Sequence, residues 1–297
     1  MTLSGASGVV TLSSGDARVT VATLGAELQS FTVAGHELLW SGDEAFWSGR
    51  APILFPVVGW CAGGVVRVSG TTYPMDVHGF AARARFTCTD ASATSATFVL
   101  VDDEGTRRHF PFAFRLTVTH RLEARALVTS LEVENTGESE MPYAVGLHPG
   151  FRWPLAGAPR ERHRVVFERE ERASVPIIAP GGLFSAERRP VPLVDGRVLS
   201  LSDALLAKEA LVFLDTQSRV VRFEDDQGTA LTVTAEELPH FALWSRPGAG
   251  FVCLEHWTGH GDPVGFGGDL FAKPSMRVLS PEAKARHAAR YEIALSA

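Results

Sequence analysis

Apolar and polar residues alternate along most of this chain with a period of two, the mark of strands with one buried face. Segments 18–24, 27–33, 84–89, 96–102 and 115–121 carry β-branched and aromatic residues in this pattern. Segment 127–135 follows, and Glu123-Ala-Arg-Ala before it reads as a hairpin turn. Further strands are expected at 164–169, 210–215, 219–225, 230–235, 251–257 and 291–295. Turn signals such as Ala34-Gly-His, Ser69-Gly, Asn135-Thr-Gly, Asp195-Gly and Asp226-Gln-Gly separate them at short intervals. Helical periodicity is confined to two short pieces, 202–208 and 281–290. Between Pro154 and Pro192 the chain is rich in Arg, Glu and Pro and reads as a loop excursion rather than a linker. No repeat at solenoid or propeller periods is visible. The pattern predicts an all-β fold, a large antiparallel β-sandwich or barrel, in a single domain over residues 1–297.

Composition narrows the function classes. At 45% hydrophobic and 21% charged, the chain has ample material for a core and little tendency to disorder. A formal charge of −6 without a long basic cluster argues against nucleic acid as the main partner. A neutral small molecule, or a small anion held by a few local arginines, suits this balance better. The three cysteines, Cys61, Cys88 and Cys253, are widely scattered and read as buried free thiols in a reducing compartment. The opening Met1-Thr-Leu-Ser-Gly-Ala-Ser-Gly8 lacks the basic and apolar regions of a signal peptide, and no apolar run reaches bilayer-spanning length. The expectation is a cytoplasmic protein with no membrane partner.

Chemistry concentrates in the run from Phe241 to Trp257. As a strand, 251–257 places Phe251, Cys253, Glu255 and Trp257 on one face and Val252, Leu254 and His256 on the other. A carboxylate between an aromatic ring and a thiol loses water, which raises its pKa and suits it to act as a base near neutrality. The same residue equally fits a strand end with its head in solvent. His148 follows Ala144 and Gly146, small residues that leave room beside an imidazole, and His148-Pro149 stops the strand where loops begin. His78 precedes Gly79, which permits a tight bend and close approach of a ligand. The competing account is a turn histidine exposed to water for His148 and a loop histidine with a structural hydrogen bond for His78. His256 and His260 beside Asp262 have a metal-like spacing, but Gly259 and Gly261 and the preceding strand argue against a helical zinc motif. Gly265-Phe-Gly-Gly-Asp269 lacks the lysine of a phosphate loop, and no Gly-x-Ser-x-Gly element is present. A glycoside-cleaving carboxylate pair, Glu255 with Asp215 or Glu209, stays open on this reading.

Taken in order, several segments resemble the aldose 1-epimerase (galactose mutarotase) family, in particular its divergent branch. They are Gly25-Ala-Glu-Leu-Gln-Ser-Phe31, Glu37-Leu-Leu-Trp40, Ala51-Pro-Ile-Leu-Phe-Pro-Val-Val-Gly59, and Tyr73 with His78-Gly-Phe-Ala81. Asn135-Thr-Gly, His148-Pro-Gly-Phe151, Phe251-Val-Cys-Leu-Glu255-His-Trp257 and Val278-Leu-Ser-Pro-Glu282 complete the set. The resemblance implies a galactose mutarotase-like supersandwich with sugar bound across one sheet. It also implies Glu255 as catalytic base, His148 as catalytic acid and His78 as a sugar contact, with Trp257 beside them and neither metal nor organic cofactor. Two positions depart from the family pattern. Trp60 stands where a sugar-binding arginine is expected, and His78-Gly-Phe-Ala-Ala82 carries its arginine one place late, at Arg83. Glu209 is the approximate counterpart of an acidic sugar contact. A related branch acts on hexose 6-phosphates, for which Arg50 and Arg83 are the candidate phosphate ligands. The expected partner is therefore a small-molecule aldose, free or phosphorylated. A non-catalytic sugar-binding protein is the alternative, with Trp60 as a stacking platform.

Overall fold

The period-two segments assemble into two large antiparallel sheets that face one another. In the computed structural model, which describes residues 8–296, a nine-stranded sheet has Lys284–Ala294 at its centre. Ala230–Glu236, Val220–Glu224, Arg164–Phe167 and Val198–Ser200 extend it on one side. Ala126–Asn135, Phe114–Glu123, Ser95–Val101 and Thr87–Ala91 extend it on the other. A six-stranded sheet runs Leu211–Phe213, His240–Trp244, Phe251–Trp257, Gly146–Leu147, Ile53–Leu54, with Gly150–Arg152 also paired to Phe251–Trp257. Val9–Ser14, Ala17–Ala22, Leu28–Val33 and His36–Glu37 form a further four-stranded sheet. The N-terminal stretch that lacks signal-peptide character lies, up to residue 7, outside the described residues. Among the described residues no helix is long and apolar enough to cross a membrane.

The two sheets differ in how they meet water. Phe114–Glu123 alternates strictly between buried and more exposed positions, as one wetted face requires. Phe251–Trp257 is buried at all seven positions, so both faces of the six-stranded sheet are covered. Its inner face joins the main core, where Phe167 of the nine-stranded sheet meets Phe213 and Phe241 at 5.0 and 5.5 Å between ring centroids. Leu147, Leu243, Val252 and Leu254 belong to the same apolar cluster as Val118, Leu131, Val233 and Tyr291. The other face carries the site described below.

Most expected strands are present within a few residues of their anticipated bounds, and Phe251–Trp257 coincides with its segment. Glu123 pairs with Ala126 across a two-residue turn in which Ala124 has φ 52°, the hairpin expected there. Three readings change. Residues 281–290 are not helical: Lys284–Ala294 is a strand paired on both sides, to Ala126–Asn135 and to Ala230–Glu236. The alanines, lysine and arginines there favour helix locally, but two ladders of backbone hydrogen bonds outweigh a propensity of tenths of a kcal/mol per residue. Within the expected loop excursion, Ser174–Ala179 and Leu183–Pro190 pair as a hairpin. The stretch before His148 is not one strand but two short ones, Met141–Tyr143 and Gly146–Leu147, which belong to different sheets. The 202–208 segment does form a short helix, Asp203–Leu206, capped by the Ser202 side chain.

Candidate active site

Register on the outer face of the six-stranded sheet brings the two leading candidates together. Gly146 pairs with Trp257 and Leu147 with His256, so the next position sets His148 beside Glu255. His148 Nε2 lies 3.2 Å from Glu255 Oε2. On the opposite flank Ala242 pairs with Glu255, and its small side chain leaves the carboxylate uncrowded. Gly146 has a packing reason of its own: a Cβ there would come within 2.7 Å of the Trp257 ring. Glu255 is 1% exposed and His148 7%.

Aromatic rings wall this pair. Trp47 tilts over His148 at 5.1 Å, Trp244 meets it edge-on at 5.8 Å, and His78 approaches edge-on at 5.5 Å. Trp47 and Trp244 contact each other at 5.4 Å. The loop carrying Trp47 is pinned at both ends. Trp40 Nε1 donates to the Trp47 carbonyl at 2.8 Å, and the backbone N–H groups of Arg50 and Ala51 both donate to Glu27 Oε1. Neither Trp47 nor Trp244 stood out in the sequence. Trp244 was discoverable by parity, since it sits two residues from Ala242 on the cleft face; Trp47 lies in a loop without periodicity.

Burial shapes the electrostatics. Loss of water pushes the Glu255 carboxyl well above its ordinary value, and the nearby Trp257 indole offsets only part of that. The same loss, reinforced by His78, pushes the His148 imidazole well below its ordinary value. Both groups are therefore drawn to their neutral forms. Glu255 Oε2, His148 Nδ1 and Trp257 Nε1 are buried without a hydrogen-bond partner of good geometry. Such atoms are costly in a folded interior and point to a ligand that completes them.

His78 is positioned by its loop. It has φ 62°, and Gly79 beyond it has φ 77° with no room for a Cβ, which would fall 2.1 Å from the Phe55 carbonyl oxygen. Its Nδ1 accepts the Gly59 N–H at 3.1 Å, so the neutral ring carries its proton on Nε2. Burial, with Arg83 and Lys273 nearby, lowers His78 to about 4.

Of the remaining candidates, Trp257 joins this face and the others are engaged elsewhere. Trp257 is on the cleft face, 5% exposed, with its ring 6.5 Å from His78. Trp60 stays 48% exposed and lies against the 174–190 hairpin, where a Cβ on Gly182 would sit 1.8 Å from its ring. Arg50 Nη1 donates to Gln29 Oε1 at 2.7 Å. Arg83 pairs with Asp76 at 2.7 Å, both well exposed. Glu209 is exposed, and the Asp215 side chain is 84% exposed, so neither faces Glu255 as a second dry carboxylate. His256 is turned to the core face beside Phe241, whereas His260 stacks on Phe184, so that pair does not converge on a metal. One group of metal-ligating type exists among the described residues: His148, Cys253 and Glu255, with ligand atoms within 4.8 Å of one another. Burial and Glu255 together push the Cys253 thiol well above its ordinary value, which keeps it from the thiolate form a metal needs.

Comparison with known proteins bears on the family and the fold. The family model for aldose 1-epimerase matches residues 8–263. The plasmid-encoded protein LacX of Lactococcus lactis subsp. lactis is 30% identical over 270 residues, covering 87% of this chain and 90% of its own. The structure of a galactose mutarotase related enzyme from Lactobacillus acidophilus superposes with a TM-score of 0.90 at 27% identity, covering 97% of this chain and 98% of its own. A galactose mutarotase-like protein from Lactobacillus casei ATCC 334 gives 0.91 at 28% identity, covering 97% and 100%.

Proposed function

The chain belongs to the aldose 1-epimerase family, and we propose that it interconverts the α and β anomers of an aldose by proton transfer through Glu255 and His148. The observation that carries this reading is the 3.2 Å approach of His148 Nε2 to Glu255 Oε2 on a dry, aromatic-walled sheet face. In the proposed reaction Glu255 takes the proton from the anomeric hydroxyl while His148 donates one to the ring oxygen. The bond between C1 and the ring oxygen breaks, giving the open-chain aldehyde. Rotation about C1–C2 and reclosure with the two roles reversed yield the other anomer. Each well-placed proton transfer contributes about 10²–10⁴-fold.

The electrostatics suit the middle of this sequence. Once the ring is open, Glu255 holds the proton and His148 is neutral, the distribution that burial favours for both groups. The site thus disfavours separated charge and supports the aldehyde stage, where none remains on the pair. Indole and phenyl walls offer apolar faces to the sugar's C–H surface. A neutral aldose is favoured over a hexose 6-phosphate, because Arg50 is engaged by Gln29 and Arg83 by Asp76.

The test is the NMR exchange rate between anomers, with and without protein, across neutral hexoses, pentoses and hexose 6-phosphates. Acceleration that Glu255→Gln abolishes is the expected result. Absence of acceleration for every sugar, with the protein folded, would overturn the proposal.

A further inference from the structure

We infer that His240 and His260 together read one hydroxyl of the sugar, at the end of the cleft beyond Trp257; this role rests on the mutarotase reading above. Register supplies the placement. His240 pairs with Trp257 and Ala242 with Glu255, and directly paired residues of antiparallel strands share a face. His240 therefore stands on the cleft face, two residues or about 7 Å along the strand from the level of Glu255. That span is on the scale of one pyranose ring.

The two imidazoles offer complementary atoms. His240 Nδ1 accepts the Asp215 backbone N–H at 3.1 Å, which leaves the proton on Nε2. That Nε2–H has no partner, although His240 is only 3% exposed. His260 has the opposite tautomer: its Nδ1–H donates to the Gly261 carbonyl at 2.8 Å, which leaves Nε2 as an acceptor. Ring centroids are 5.7 Å apart at 61°, and Phe184 stacks on His260 at 4.8 Å, fixing its plane. Burial lowers His240 to about 4 and lowers His260 as well, so both are neutral where the enzyme works. Two adjacent rings that offer one donor and one acceptor suit a group that both donates and accepts. A hydroxyl does this; a phosphate or carboxylate oxygen satisfies the donor alone.

The experiment crosses variants with substrates. Anomer exchange is measured for an aldohexose and its 2-, 3-, 4- and 6-deoxy analogues with wild type, His240→Phe, His260→Phe and the donor-retaining His240→Gln. One deoxy analogue should lose about 10–100-fold in kcat/KM with wild type. Each Phe variant should lose a similar factor on the parent sugar, shrinking to about threefold or less on that analogue, because the lost contact is the same. His240→Gln should recover part of the loss. Equal losses on every sugar would assign the histidines a structural role and overturn the inference. If wild type accelerates no anomer exchange, the catalytic reading fails separately, and the same panel measured as Kd applies the same test. Failure of every sugar to bind would overturn both.

Discussion

The Phe251–Trp257 strand has two faces that are almost equally dry yet chemically opposite. On the core side, Val252 and Leu254 sit at 0% exposure within the large apolar cluster. On the cleft side, Cys253, Glu255 and Trp257 are as hidden, at 0, 1 and 5%. What separates the faces is unmet polarity. Glu255 Oε2 and Trp257 Nε1 on this strand, His148 Nδ1 beside it and His240 Nε2 across from it lack hydrogen-bond partners of good geometry, Glu255 Oε2 meeting only the His148 imidazole at 3.2 Å. Burial therefore marks a core on one side and, on the other, a site whose hydrogen bonds await a ligand. His256 is the exception, a core-facing imidazole with its own unpartnered Nδ1.

Substituting adjacent residues on opposite faces should separate these roles most sharply. Glu255→Gln should cut anomer exchange by about 10²–10⁴-fold while leaving thermal stability unchanged or higher, since it removes a carboxyl that burial already penalises. His148→Asn should behave alike. Leu254→Ala, one position away, should instead cost about 2–5 kcal/mol of stability through the cavity it opens, with the folded fraction still active. Urea unfolding and NMR exchange on the same samples check both. If Leu254→Ala abolished the chemistry at full stability, the division between faces would fail.

The exception gives a smaller, pH-dependent effect. Burial lowers His256 from 6.5 to about 3. The unfolded chain therefore binds a proton below about pH 6.5 that the folded one refuses, so this stabilising term is present above 6.5 and is lost as pH falls towards 3. His256→Leu removes that term. Relative to wild type, the variant should gain about 2 kcal/mol on moving from pH 7 to pH 5. Denaturant midpoints at the two pH values measure it, and parallel curves for the two proteins would refute it.

How much of this was legible from residues alone divides along physical lines. Phe251–Trp257 could be read because period-two alternation is a local property, and its two faces fall as that period dictates. The convergence of His148 on Glu255 came from matching segments to a family, since nothing local links positions 107 residues apart. Lys284–Ala294 misled because its composition favours helix while its two neighbours, distant in sequence, impose a strand. Trp47 escaped notice because a loop ring's position depends on anchors such as Glu27 and Trp40, which periodicity does not reveal. Trp60 drew attention as a substitution for a family arginine, but its ring lies on Gly182 of a hairpin that read as loop.

Trp47 supplies the mildest and most informative perturbation, because it tests whether dryness itself shapes the chemistry. The active pair carries one proton, which is lost on the alkaline side and joined by a second on the acid side. In the covered site, burial holds Glu255 above its usual 4.5 and His148 below its usual 6.5. The first shift delays loss of the shared proton as pH rises, and the second delays uptake of another as pH falls. The pH–rate plateau of the wild type should therefore be broad. Trp47→Ala admits water beside His148, so the pair should relax towards the ordinary sequence, a carboxylate titrating near 4.5 and an imidazole near 6.5. The plateau then narrows from both ends. At pH 5.5 the variant should fall by about tenfold or less, and at pH 8 by roughly another thirtyfold, since an imidazole of ordinary pKa is largely deprotonated there. A uniform loss across pH, with the profile's width unchanged, would show that Trp47 positions the sugar without setting the proton balance beneath it.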